Sequence, residues 1–275
     1  MQIPKEIKKG VVFLGYRNDD GIEQFAGTAF YVSRSIANGM GFTYLVTARH
    51  VIDGIRTKRR EKVLMRVNPT RGSAVWVEIP IEHWISHTDP SVDVVVKRAA
   101  IIKGADHNSI PIRSFVNAET IKAENIGIGD EVYMPGLFVN HYGEDRNIPV
   151  VRTGNIAAMA EEKIVVNKFG KIDAYLIEAR SIGGLSGSPV YVHVEAIRYS
   201  DERVPTAIYP SPGNYLLGLM HGHYDQNWQS GKDRVNLGIA IVIPATKILE
   251  VINQPTIKDA DDVDEKEWRK QGMPS

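Results

Sequence analysis

Two residues in the first third of the chain have the side chains and settings needed for acid–base chemistry near neutral pH. His50 lies in the motif TARHVIDG (residues 47–54), directly after the apolar run TYLVTA. A histidine at the end of a buried strand can be held rigidly while its ring faces a cleft, as a general base requires. Asp93 lies in SVDVVVK (residues 91–97), where a buried carboxylate needs donors that an imidazole N–H could supply. Taken singly, His50 could be a structural histidine and Asp93 the end of a turn.

The motif GLSGSPV (residues 184–190) combines a hydroxyl with a flexible backbone. Ser186 stands between Gly184 and Gly187, and glycine permits tight backbone paths that aim successive N–H groups at one point. Converging N–H donors beside a serine are what an oxyanion hole needs around a tetrahedral intermediate. Without partners, the motif could equally be a plain glycine-rich turn.

The elements that must position these residues are short strands. Runs rich in Val, Ile, Tyr and Phe recur along the chain with Gly, Asn, Asp or Pro between them, which is typical of strands and turns. About a dozen such runs fall into two clusters, and this predicts an all-β barrel or sandwich. Residues 111–128 form a polar connection that could carry a turn of helix. The apolar spacing at Ile248, Leu249 and Ile252 predicts one helix over residues 244–253.

Composition and charge exclude several classes of function. The chain is 43% apolar and 24% charged, and its 33 basic residues balance 33 acidic ones, so we expect no nucleic-acid or membrane partner. The absence of cysteine excludes disulfides, thiolate metal sites and cysteine nucleophiles. No run approaches the roughly 18–20 apolar residues of a membrane span. The N-terminal segment lacks the features of a secretory signal, and we therefore predict a cytoplasmic protein.

Together, the motifs resemble those of the trypsin-like (chymotrypsin-fold) serine peptidases, in which the order is also His, Asp, Ser. The protease domains of bacterial high-temperature-requirement peptidases are the most similar. TARHV resembles their T-A-x-H-V, SVDVVVK their D-x-A-V-L-K, and GLSGSPV their G-N-S-G-G-P. The resemblance spans roughly residues 9–253. It implies two six-stranded antiparallel β-barrels, the first over residues 1–118, and the second with a short helix over residues 119–253. Residues 254–275 are expected to be a polar tail, either flexible or loosely docked.

The resemblance also implies roles for individual residues. Ser186 would be the nucleophile, His50 the general base and acid, and Asp93 the residue that orients His50. The N–H groups of Gly184 and Ser186 would form the oxyanion hole. Substrate would bind beside a second-barrel strand, here LMHGHY, and against a wall just before the nucleophile. This set consists of Ser181, His221, Gly222 and His223.

The chain departs from the family's pattern near the site. Leu185 replaces the usual Asp or Asn and should pack beneath the loop, and Ser188 replaces a glycine with little steric effect. Arg49 replaces the usual alanine and should face solvent. Histidine and arginine near the pocket would favour an acidic residue before the cut, whereas a pocket for a small or apolar residue is the alternative.

Other polar clusters have weaker interpretations. His221 and His223 with Asp225 could be read as an H-x-H metal site, but no third ligand is evident, so we predict no metal. His83 and His87 look like loop residues. The basic run at residues 56–62 is expected to be a solvated loop.

The leading hypothesis is a serine endopeptidase that needs no cofactor and acts on a polypeptide substrate through an acyl-enzyme intermediate. The alternative is a gated or catalytically silent protein-binding module on the same scaffold, with an activating or regulatory protein partner. Residues 139–149 and 195–213 lie where loops could cover the cleft.

Overall fold

The structure is a computed structural model that describes residues 3–36, 41–100, 102–166, 170–179, 184–195, 197–199, 205–208, 213–226 and 235–270. Across these ranges no helix is both long enough and apolar enough to cross a membrane. Strands dominate, as the sequence predicts, and they form two lobes.

The first lobe is a curled sheet. In the part of it that the structure describes, eight strands run in the order β5-β4-β1-β2-β3-β7-β6, with β8 parallel to β2. Its elements, in chain order, are β1 (Val11–Arg17), β2 (Glu23–Ser35), β3 (Gly41–Thr47), α1 (Arg49–Arg56), β4 (Lys62–Val67), β5 (Val75–Pro80), β6 (Ile85–Ser86), β7 (Val95–Ala99) and β8 (Ile110–Pro111).

The second lobe is a closed barrel of six strands in the order β10-β13-β18-β17-β14-β9, counted over the described ranges. Two small ribbons, β11-β12 and β15-β16, accompany it. The elements of this half are α2 (Ala118–Ala123), β9 (Glu131–Gly136), β10 (Val150–Ala158), β11 (Ile164–Val166), β12 (Gly170–Ile172), β13 (Tyr175–Glu178), β14 (Pro189–Val194), β15 (Ile197–Tyr199), β16 (Pro205–Ile208), β17 (Gly213–Gln226), β18 (Val235–Pro244), α3 (Ala245–Ile252) and α4 (Pro255–Lys270). Short 3-10 turns occupy Lys5–Gly10, Ile81–His83, Ile112–Ser114 and Val139–His141.

The observed architecture confirms the predicted all-β fold with two lobes and a C-terminal helix. The second lobe is the expected six-stranded barrel, whereas the first is an open, curled sheet with β5 and β6 at its edges. The expected boundary after residue 118 falls at the start of α2, between the two lobes. Helix α3 matches the predicted helix, and its apolar face, including Ile248 and Ile252, is fully buried.

An apolar core runs from the first sheet onto the outside of the second barrel, so the lobes are packed against each other. Phe30 and Leu45 of the first sheet belong to the same buried cluster as Tyr133 and Tyr191 of the barrel. The rings of Tyr133 and Tyr191 stack with centroids 5.0 Å apart. A continuous core of this kind holds both lobes in one arrangement, which a site built across them requires.

The polar segment beyond residue 253 is docked on the first lobe and is not a flexible tail. Helix α4 occupies most of that segment, and a buried carboxylate on this helix contacts the first sheet. Asp261 is 3% exposed and accepts hydrogen bonds from the Tyr44 hydroxyl at 2.5 Å and from Arg98 Nε at 2.7 Å. A buried charge is tolerated because donors from the sheet satisfy it.

The packed face of α4 follows a helical spacing that the sequence does contain. Ile257 is fully buried, Asp261 lies one turn later, and Trp268 stacks on Phe42 of β3 with centroids 5.1 Å apart. A search for apolar periodicity misses this face, because a carboxylate stands at its centre.

Candidate active site

His50 and Asp93 come together as a hydrogen-bonded pair. His50 is the second residue of α1, directly after β3, and Asp93 precedes β7, the strand that pairs with β3. His50 Nδ1 lies 2.6 Å from Asp93 Oδ2, and the His50 main-chain N–H donates to Oδ1 at 2.8 Å. An ionised carboxylate only accepts hydrogen bonds, so Nδ1 carries a proton, and in the neutral ring Nε2 then has the lone pair. This is the tautomer that a general base needs.

The carboxylate of Asp93 is fully buried. Burial alone would raise its pKa, but hydrogen bonds from His221 and His50 outweigh burial and lower the pKa to about 2. The group therefore stays negative at neutral pH and favours positive charge on an imidazole beside it.

His221 is the second imidazole on this carboxylate. We expected it in the wall of a substrate pocket, but its side chain is buried, and its Nδ1 lies 2.5 Å from Asp93 Oδ2. The rings of His50 and His221 meet edge to face, with centroids 5.4 Å apart. The register of β17 against β18 shifts between Met220 and Gly222, and an irregularity of this kind re-aims side chains. Strand alternation read from the sequence cannot reveal such a shift.

The loop that carries Ser186 takes a path that only glycine permits. Gly184 and Gly187 have φ angles of +98° and +82°. A Cβ on Gly187 would lie 2.2 Å from the Thr28 carbonyl oxygen, and one on Gly184 would lie 2.8 Å from that of Leu137. Both glycines therefore serve the backbone turn and close packing, Gly187 against the first lobe and Gly184 against the residue that follows β9.

Thr28 of β2 fastens this loop to the first lobe, and sequence analysis overlooked it. Its hydroxyl donates to the Gly184 carbonyl at 2.8 Å and accepts from the Leu137 N–H at 2.9 Å. Its main-chain N–H donates to the Ser186 carbonyl at 3.0 Å. A threonine in a strand carries no sequence signal for such a role, because the partners of its hydroxyl come from the other lobe.

The Ser186 hydroxyl lies at the junction of the two lobes. It donates to the main-chain oxygen of His221 at 3.3 Å, and no hydrogen bond joins it to His50 in the part of the chain described here. Catalytic hydrogen bonds are often long or unformed before substrate binds. The N–H groups of Gly184 and Ser186 donate to no acceptor among the described residues.

The remaining substrate-binding candidates are placed only in part. Ser181 lies outside the described residues. Gly222 and His223 follow His221 on β17, where the His223 side chain is exposed, and no described residue lies within 4 Å of the position that a Cβ on Gly222 would occupy.

The side chains of His50 and His221 are both hydrogen-bonded to the carboxylate of Asp93. Ligand atoms of His50, Asp93 and His221 lie within 4.8 Å of one another. The two N···O separations of 2.5 and 2.6 Å are shorter than the roughly 3.3 Å between ligands of tetrahedral zinc. A metal ion at this cluster would have to displace both hydrogen bonds. Asp225, part of the H-x-H alternative, has no described side chain.

The sequence also makes predictions for three other residues, Leu185, Arg49 and His87. Leu185 is fully buried in the barrel core, as predicted. Arg49 does not simply face solvent, because its guanidinium donates to the Pro90 carbonyl at 2.5 Å. His87 is not a simple loop residue either, since it is buried and its Nε2 bonds Glu250 of α3 at 2.8 Å.

Comparison with known proteins supports the fold. No protein-family model and no curated protein matches the sequence. The crystal structure of Deg5 matches with a TM-score of 0.51 and 15% identity, over 89% of this chain and 88% of that one. An inactive serine-to-alanine mutant of Rv3671c from M. tuberculosis H37Rv gives a TM-score of 0.44 and 17% identity, over 90% of each chain. The chain has the trypsin-like double-barrel fold, which is also the fold of the high-temperature-requirement peptidases.

Proposed function

We propose that the protein is a serine endopeptidase that hydrolyses peptide bonds through an acyl-enzyme intermediate. The observation that carries the proposal is the pairing of His50 with the buried, ionised Asp93 beside the glycine-rich loop of Ser186, at 2.6 Å between Nδ1 and Oδ2. In the trypsin-like fold, a base, a residue that orients it and a nucleophilic hydroxyl would act together.

In the proposed acylation step, Ser186 Oγ attacks the carbonyl carbon of the scissile bond. The hydroxyl first leaves the His221 carbonyl and turns to His50 Nε2, which takes its proton as the Oγ–C bond forms. Asp93 stabilises the resulting imidazolium. His50 then returns the proton to the leaving amine as the C–N bond breaks.

The negative charge that develops on the substrate oxygen requires donors that are already in place. The N–H groups of Gly184 and Ser186 would supply them, and their lack of other acceptors among the described residues supports this role. Deacylation repeats the sequence with water as the nucleophile, which regenerates the Ser186 hydroxyl. The steps as written need no metal or organic cofactor.

We propose that an extended polypeptide segment binds along β17 beside Gly222. The open space at Gly222 would admit a peptide backbone, and the exposed His223 is the described residue that could contact a substrate side chain. A preference for an acidic residue before the cut and a preference for a small or apolar residue both remain hypotheses. Cleavage of a peptide library would distinguish the two.

The direct test is covalent labelling with a fluorophosphonate probe, followed by mass spectrometry of the intact protein. We expect one adduct on the wild-type chain and none on Ser186→Ala. Ser188→Ala is the matched control, because it removes a buried serine hydroxyl from the same loop and leaves Ser186 in place. A folded wild-type protein that never labels, or an adduct that persists in Ser186→Ala, would refute the proposal.

One observation favours the alternative of a gated or silent binding module. The Ser186 hydroxyl is bonded to the His221 carbonyl and not to His50. If this arrangement is a gate, labelling should appear only after a polypeptide ligand or a regulatory protein is added. If the scaffold is silent, labelling should stay absent while the ligand still binds.

Localisation in the cytoplasm and the absence of nucleic-acid and membrane partners remain predictions from charge and composition. Cell fractionation tests the first, and co-sedimentation with vesicles or retention on immobilised DNA tests the second.

A further inference from the structure

A cavity on the first lobe is lined by cationic side chains that the proposed mechanism does not use. It lies between the end of β1, the turn that follows α1, and strands β4 and β5, and its volume is about 370 Å³. A volume of this size is within the range of small-molecule sites. Four cations line the cavity, and these are Arg17, Arg59, Arg60 and Lys62. Three of the four belong to the basic run at residues 56–62.

The backbone at Arg59 brings two adjacent arginines to the same cavity. In an extended chain, neighbouring side chains point to opposite sides. Arg59 instead has a φ angle of +56°, a left-handed conformation that is costly for a residue with a side chain. Both Arg59 and Arg60 line the cavity. Strained conformations of this kind are concentrated at ligand sites, whereas stability alone would favour glycine at such a position.

The carboxylates near these cations leave part of the positive charge uncompensated. Glu78, on the cavity wall, already pairs with Lys62 at 2.5 Å and with Arg17 at 3.6 Å. Two cations thus share one carboxylate.

The two arginines of the turn are compensated even less. Arg60 pairs with Asp19, whose side chain is 93% exposed, and an ion pair at such an exposed group contributes little stability. Nε of Arg60 is buried and has no hydrogen-bond partner among the described residues. Within the same residues, no ion pair joins Arg59 to a carboxylate. Like charges that converge on one cavity repel each other unless an anion lies between them.

We propose that this cavity binds a small soluble anion that carries phosphate groups. Guanidinium groups bind phosphate oxygens through paired N–H···O bonds, and two adjacent guanidinium groups with one ammonium suit a multiply charged oxyanion. A phosphate group with two negative charges should displace Asp19 from Arg60 more readily than a monocarboxylate does, because its electrostatic attraction is larger. This inference does not depend on the proposed peptidase function.

Isothermal titration calorimetry of the intact chain with inorganic pyrophosphate tests the site. We expect one molecule to bind, with an affinity that falls as salt is added, because the site is partly exposed. Arg59→Gln and Arg60→Gln should each weaken binding on the order of 10- to 100-fold, since hydrogen bonds between charged groups are lost. Arg71→Gln is the matched control and should leave the affinity unchanged. Arg71 is an exposed arginine in the connection between β4 and β5, and it does not line the cavity.

Two further variants separate a lost ligand contact from a folding defect. Arg59→Gly removes the side chain where the backbone conformation favours glycine, so its midpoint of urea unfolding should not fall although pyrophosphate binding does. Glu61→Gln removes a carboxylate from the cavity wall and should tighten binding.

Several results would overturn the proposal. A folded wild-type protein that does not bind pyrophosphate, or an equal affinity in Arg60→Gln, would exclude the site. Citrate that binds as tightly as pyrophosphate would contradict the preference for phosphate. Co-sedimentation with vesicles that contain a polyphosphoinositide, without binding of pyrophosphate, would show that the ligand is a lipid headgroup and not a soluble anion.

Discussion

Thr28→Val is the substitution that tests most directly how the two lobes hold the nucleophile loop. Valine keeps the shape of the buried threonine side chain and removes only its hydroxyl. That hydroxyl donates to the Gly184 carbonyl at 2.8 Å and accepts from the Leu137 N–H at 2.9 Å. The first partner belongs to the proposed oxyanion loop, and the second lies at the end of β9.

The expected cost follows from these two bonds. Because Thr28 is fully buried, water cannot readily replace the lost hydroxyl, and one carbonyl and one N–H are left without a partner. Each such group costs about 1–3 kcal/mol, so the free energy of unfolding should fall by roughly 2–6 kcal/mol. The similar volume of valine limits any contribution from a cavity.

Urea unfolding of the intact chain measures this change. Thr153→Val is the matched control, because Thr153 is an exposed threonine in strand β10 and should change stability by no more than about 0.5 kcal/mol. Labelling of Ser186 should also slow in Thr28→Val at denaturant concentrations where the protein stays folded, since Gly184 loses its tether. If Thr28→Val is as stable as Thr153→Val and labels at the wild-type rate, the hydroxyl does not bridge the lobes.

Two further predictions concern the buried carboxylates. The folded-state pKa of Asp93, about 2, lies below its ordinary value of 3.8, so its stabilising contribution is present above about pH 4 and lost as the pH falls toward 2. Wild-type protein should therefore lose about 2 kcal/mol more than Asp93→Asn over that range in urea unfolding, and parallel losses would contradict the assignment. Asp261→Ala should release α4 from the first sheet, because Tyr44 and Arg98 lose their shared acceptor. Limited proteolysis should then cut within residues 255–270 faster than in Asp259→Ala, an exposed change on the same helix, and equal rates would contradict this role for Asp261.

Much of the fold could be predicted from local patterns. Short runs rich in β-branched and aromatic residues predict strands because side chains alternate across a pleated sheet, and the helix at Ala245–Ile252 follows from the spacing of its apolar residues. The motifs around His50, Asp93 and Ser186 also stand out locally, because each combines a reactive side chain with its own strand end or glycine turn.

The contacts that organise the site depend on residues far apart in the chain. His221 reaches Asp93 across 128 positions because the register of β17 shifts beside it, and Thr28 reaches Gly184 across 156. Tyr44 and Asp261 are 217 positions apart. The hydrogen-bond partners of buried polar groups are determined by packing in three dimensions. Such contacts produce no periodic pattern in the sequence. The strands and the reactive side chains can therefore be predicted from the amino-acid sequence. The hydrogen-bond partners of buried groups across the two lobes are decided only by the tertiary structure, because they depend on how the chain packs.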